Sequence, residues 1–93
     1  MEKKQDFKLI DGQFNPSDAR TILLTLINSK IQFHKLESFG ITVRSSGDIS
    51  MHEKRIRELS KVNEDIKKLL NYAVENNMKL KVNSTIQIEL INE

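Results

Sequence analysis

The sequence has no cysteine, no tryptophan, one proline and three glycines in 93 residues. Without cysteine there is neither a disulfide framework nor a thiolate metal site. That absence fits a reducing compartment, and a cytoplasmic location is the expectation. The glycines stand at positions 12, 40 and 47. At that spacing they cannot build a Walker loop or a dinucleotide fingerprint. A G-x-S-x-G elbow is also missing. The N-terminal stretch MEKKQDFKLIDG lacks the apolar run of a signal-peptide core. No stretch approaches the roughly 20 apolar residues of a membrane span, so no membrane partner is expected.

Charge of one sign is missing as well. Fifteen basic residues stand against thirteen acidic ones, for a formal net charge of +2. The first fifty residues carry seven basic and six acidic groups, and the remainder eight and seven. Neither half is a basic arm of the kind that nucleic-acid binders concentrate on one face or tail. Aromatics are few: Phe7, Phe14, Phe33, Phe39 and Tyr72. Four of the five fall at expected core or turn positions, which leaves no stacking platform for single-stranded nucleic acid.

A chain of this length forms one domain, residues 1–93, with a thin core. Its pattern predicts an α+β fold of β-α-α-β order. Phe7–Ile10 is a short first strand with Phe7 and Leu9 on one face, followed by a turn at Asp11-Gly12. Asn15-Pro16-Ser17-Asp18 is a helix start, with Asn15 as cap, Pro16 in the first helical position and Asp18 facing the positive end of the dipole. The first helix is predicted over 16–36. Ile22, Leu26, Ser29, Phe33 and Leu36 form one heptad-like stripe, and Leu23, Ile27, Ile31 and His34 a second beside it. A competing reading ends the helix at Asn28-Ser29 and makes 30–36 a strand. The helical pattern persists through more positions and is preferred.

Residues 38–49 read as a loop in which Phe39, Ile41 and Val43 alternate. They fold back on the helices or meet a partner. Ser50-Met51-His52-Glu53 matches a capping box and opens a long helix over 51–76. Its apolar stripe is Leu59, Val62, Ile66, Leu69 and Ala73, widened by Ile56, Leu70 and Val74. Glu53–Arg57 and Glu64–Lys68 are spaced as favourable i,i+4 pairs. Asn76 and Asn77 suit a left-handed terminus. The last strand, over 80–91, alternates strictly: Leu80, Val82, Ser84, Ile86, Ile88 and Leu90 share one face. Asn83-Ser84 suggests a bulge. The two strands run antiparallel and can pair, so an antiparallel helical hairpin packs on a two-stranded sheet.

Chemical motifs are weak. His52-Glu53 resembles a zinc-protease start, but Ile56 stands where the second histidine belongs. His34 reads as a helix-edge side chain beside Ile31, and His52 as a solvated first-turn residue. Arg44-Ser45-Ser46-Gly47 could offer backbone donors to an anion, yet Asp48 follows and repels it. Glu64-Asp65 reads as a solvated face. Asn83-Ser84-Thr85 matches a glycosylation acceptor, a match without meaning in a chain with no secretory signal. No catalytic, metal or cofactor site is expected.

A lone two-stranded ribbon is marginal in water, and the helices carry more apolar surface than one another can cover. A homodimer removes both difficulties. The expected function is a small non-enzymatic interaction or assembly domain that self-associates through Ile22, Leu23, Leu26, Phe33, Leu59, Ile66 and Leu70. A further protein partner is not specified by the sequence. The alternative is a nucleic-acid binder using Lys54, Arg57, Lys61 and Lys68 as phosphate contacts along the long helix. Interleaved acidic residues weigh against it.

Overall fold

A computed structural model describes residues 3–45 and 48–93, with the side chains of 42–45 outside the description. The order is β1 (Lys4–Phe14), α1 (Pro16–Ser45), α2 (Ser50–Glu75) and β2 (Leu80–Glu89). β1 and β2 form a two-stranded antiparallel sheet. The helices form an antiparallel hairpin, so the α+β, β-α-α-β layout is as the sequence predicts.

α1 begins as its sequence dictates. The Asp18 backbone N–H donates to Asn15 Oδ1 at 2.8 Å, which satisfies one orphan donor of the first turn. The helix then runs to Ser45 and does not stop near residue 36. Residues 30–36 are helical, which excludes the strand reading, and most of the expected loop at 38–49 is helix as well. The cause is the seam with α2. His34, Ser38 and Ile41 continue the stripe of Leu23, Ile27 and Ile31, and all six are half-buried. A helix continued by its partner overrides the weak local preference of Gly40 and Ile41.

α2 spans the predicted range, but its start differs. Ile49 is the residue before the first turn and makes no side-chain cap. Ser50 and Glu53 therefore do not form the expected capping box. Asp48 takes over, with its Oδ1 accepting the Ser50 N–H at 2.9 Å. The C-terminus follows the sequence closely. Asn77 adopts a left-handed φ of 54°, Met78 N–H reaches back to Ala73 O at 2.9 Å and Asn77 N–H to Val74 O at 3.3 Å. These are the two bonds of a Schellman terminus, with asparagine in the place glycine usually takes. The i,i+4 pairs expected on α2 give way to Arg55–Glu58 at 3.0 Å, Lys61–Asp65 at 2.8 Å and Lys67–Glu64 at 3.5 Å.

The ribbon is longer than expected at its N-terminal strand. Asp11-Gly12 is not a turn but lies within β1, paired with Asn83 and Val82. β2 ends at Glu89, and one more bond, from Leu90 N–H to Lys3 O at 2.6 Å, closes the ladder beyond it. The register slips between Lys8 and Ile10, which face Thr85 and Ser84. The extra residue is thus Leu9, on the strand opposite the predicted Asn83-Ser84 break. The bulge changes which residues share a face. Phe7 opposes Ile86 and Ile10 opposes Ser84, so Ile10 and not Leu9 joins Phe7 on the apolar face. Ile10 is buried accordingly, while Leu9 is half exposed.

The core is small: Ile10, Ala19, Leu59, Leu70 and Ala73 are the buried apolar residues described. The helices line each other along their length and the strands pair along theirs, but the ribbon meets α1 at few points. The molecule is accordingly flat, with extents of 51 × 36 × 15 Å. Its radius of gyration is 16.8 Å, against about 12 Å for a compact chain of this length.

Candidate interaction surface

The seam decides which apolar residues remain outside. α2 presents His52, Ile56, Leu59, Asn63, Ile66, Leu70 and Ala73 at alternating steps of four and three, and all are buried or half-buried. α1 answers with its second stripe, the one containing Leu23 and Ile27. Of the residues expected to self-associate, Leu59 and Leu70 are therefore consumed by the seam, and Leu23 and Ile66 are half-buried. Ile22 is half-buried, while Leu26 is 42% and Phe33 49% exposed. Those three remain available.

Two polar contacts mark one edge of the hairpin. Arg20 Nη2 donates to Asn71 Oδ1 at 3.4 Å, and Asn63 Nδ2 donates to Asn28 Oδ1 at 3.2 Å. Each residue step turns a helix by about 100°. Relative to the seam, Ile22, Leu26 and Phe33 lie on the flank of α1 away from Asn28. Val62 and Leu69 likewise lie on the flank of α2 away from Asn63 and Asn71. Antiparallel packing brings those two flanks to the same side. The stripe of Ile22, Leu26 and Phe33 thus continues across the seam into Val62 and Leu69, both exposed. The sequence shows each stripe, but it does not show that they merge.

This surface runs on towards the ribbon. Leu69, Tyr72, Met78 and Leu80 line one shallow groove of about 280 Å³ where α2 meets β2. Beyond it, Phe7, Ile86 and Ile88 lie exposed on the strand face that also carries Ile10. The total accessible surface is 7522 Å². A compact monomer of 10.8 kDa exposes about 5,500 Å².

At the far end of the seam the two histidines meet. His34 Nδ1 and His52 Nδ1 are 2.9 Å apart, so one ring donates and the other accepts. Neither is the isolated residue its sequence context suggests. Their pairing leaves no local signal, because it depends on how far α1 extends. His34 Nε2 is buried without a protein partner. The His34 ring also meets Phe33 edge-on, with centroids 5.4 Å apart, and the Lys30 ammonium sits 4.7 Å from the Phe33 centroid. The His34 pKa lies below the ordinary imidazole value. Partial removal of the ring from water is the main cause, followed by the positive charges of Lys30, His52 and Arg55; Glu37 opposes them.

The basic residues of the alternative reading do share a face. Lys54, Arg57, Lys61 and Lys68 are all exposed, on the side of α2 turned from the seam. Lys61 is tied to Asp65, whose carboxylate raises the lysine pKa. Arg44 and Ser45 end α1, and the rest of the possible anion-binding turn, 46–47, lies outside the described residues. Among the described residues no group of three or more His, Asp or Glu side chains converges to hold a metal ion. No helix among them is long and apolar enough to cross a membrane. Family models, curated proteins and solved structures contain no match to this chain.

Proposed function

We propose that this protein is a small non-enzymatic assembly domain that self-associates through the flank formed by Ile22, Leu26 and Phe33 of α1 with Val62 and Leu69 of α2. The observation that carries this reading is the excess surface: 7522 Å² exposed where a folded monomer of this mass leaves about 5,500 Å². The difference, about 2,000 Å² per chain, falls within what obligate homodimers bury on each subunit. Large contiguous apolar patches on soluble chains mark interaction sites, and here the patch carries aromatic and branched side chains suited to an interface core.

A second copy supplies the missing cover at no cost in new sequence, because a twofold axis lets the same flank meet itself. Light scattering on the native chain should give twice the monomer mass of 10.8 kDa. Leu26→Glu and Phe33→Glu should each return the monomer mass while retaining helical circular dichroism. A native chain that stays monomeric at high micromolar concentration sinks the proposal. Salt-sensitive binding to nucleic acid, lost in Lys54→Glu and Lys68→Glu, would favour the phosphate-contacting reading instead.

A further inference from the structure

We infer that the His34–His52 contact is a proton-operated latch that holds the hairpin closed behind Phe33 and so governs self-association. This rests on the assembly reading above and names how that same surface is regulated.

The geometry is specific. The facing Nδ1 atoms lie 2.9 Å apart, which requires one of them to be an unprotonated acceptor. A first proton on the free Nε2 of the donor ring keeps this bond, and a second, on the acceptor, leaves two donors and two positive rings opposed. The hydrogen bond is lost and repulsion replaces it. The residues around the pair sharpen this response. From α1, Lys30 and Glu37 face it. From α2, Lys54, Arg55 and Glu58 line the same open depression of about 600 Å³. Three cations thus stand against two carboxylates, and Glu58 is already engaged by Arg55 at 3.0 Å. The depression opens to solvent, so protons reach the pair without unfolding.

The latch connects to the surface through one side chain. Phe33 rests its ring against His34 and forms the distal part of the association flank. When the rings part, α1 and α2 separate at this end, and Phe33, held beside His34 on α1, moves apart from the α2 half of the flank. The lowered His34 pKa agrees in direction. In an unfolded chain the ring takes a proton at its ordinary value near 6.5, while in the hairpin it resists until lower pH. The contribution to stability is therefore full above about pH 6.5 and is lost as pH falls through the folded value.

The test is the mass of the native chain by light scattering from pH 8.0 to pH 5.5, a range in which ordinary Asp and Glu stay ionised. The expected result is a dimer at pH 8.0 and a measurable shift towards monomer by pH 5.5. His52→Gln, which cannot titrate, should remain dimeric at both ends, with circular dichroism at pH 8.0 confirming its fold. Proton NMR of the native imidazoles provides a second reading. Two coupled steps that displace each other support the latch, and two independent steps near 6.5 overturn it. A native chain dimeric throughout overturns the latch and leaves the assembly reading standing. A chain monomeric throughout overturns both.

Discussion

Asn63 donates its side-chain amide to Asn28 Oδ1 across the hairpin at 3.2 Å, from a position in the seam between Leu59 and Ile66. Its own Oδ1 is buried without a protein partner. A polar residue at a seam position specifies register at a cost in stability. Asn63→Leu should therefore raise the unfolding free energy by about 1 kcal/mol, because the exposed Asn28 returns to water. The same change should broaden the association equilibrium towards other registers. Asn28→Ala should do the opposite and destabilise by about 1 kcal/mol, since the Asn63 amide is left unpaired. Urea unfolding and light scattering on the two variants separate these effects.

Leu69 and Leu70 are neighbours with opposite fates. Leu70 is fully buried and Leu69 is 57% exposed. Leu70→Ala should cost about 2–5 kcal/mol. With so few buried residues that is a large share of the total for a small domain, about 5–15 kcal/mol, and the far-UV spectrum should show partial unfolding at room temperature. Leu69→Ala should leave the unfolding of the monomer within about 0.5 kcal/mol of native but weaken association. A Leu69→Ala chain that associates as tightly as native would remove this residue from the interface.

How much of this was legible depends on range. The two ends of α2 are set by residues within a few positions of each other, and Asn77 and the alternating β2 strand could be read directly. Even there, Asp48 took the role assigned to Ser50 and Glu53, because several nearby oxygens compete for the same orphan donors and only the chain path selects one. The end of α1 was not legible. Gly40 and Ile41 have weak helical preference, and what favours the helix there is the half-buried seam stripe of His34, Ser38 and Ile41, which only the packed hairpin reveals. The Leu9 bulge also lay beyond local reading, since a slip in register is a property of two strands. For the surface, each stripe was visible in the sequence, but which stripe α2 would bury was not. Leu59 and Leu70 went to the seam, and Leu26 and Phe33 were left outside.

Asp48 gives a prediction about acid. Its carboxylate accepts the Ser50 N–H, and the Ser50 backbone and side-chain hydrogen bonds hold its pKa below the ordinary value. A carboxylate with a depressed folded pKa contributes fully above its unfolded value, near pH 4, and loses that contribution as pH falls through the folded one. Fraying of the first turn of α2 should therefore increase at low pH. Amide exchange at Ser50–Glu53 should show it, and Asp48→Asn, which keeps an acceptor oxygen but cannot titrate, should abolish the dependence. If the protection factors in that turn, which divide out the intrinsic pH dependence of exchange, are the same at pH 3 and pH 6 in the native chain, Asp48 is not the cap.

Leu9 is the one residue of β1 that the ladder does not need. Lys8 faces Thr85 and Ile10 faces Ser84, adjacent residues on β2, with Leu9 in excess. Deleting it joins Lys8 to Ile10 in unbroken register. Phe7 stays opposite Ile86 and Ile10 opposite Ser84, so both strand faces keep their residues. Deleting Gln13 has the opposite effect: the even side-chain period sends Ile10 and Phe7 to the wet face or forces a new register. The chain without Leu9 should therefore unfold within about 1 kcal/mol of native, and the chain without Gln13 should lose most of its cooperativity. The bulge also adds twist to the ribbon, and Phe7, Ile86 and Ile88 lie beyond it. If the distal ribbon joins the interface, deleting Leu9 should weaken association while sparing the fold. Equal association in the native and shortened chains would confine the interface to the helical flank.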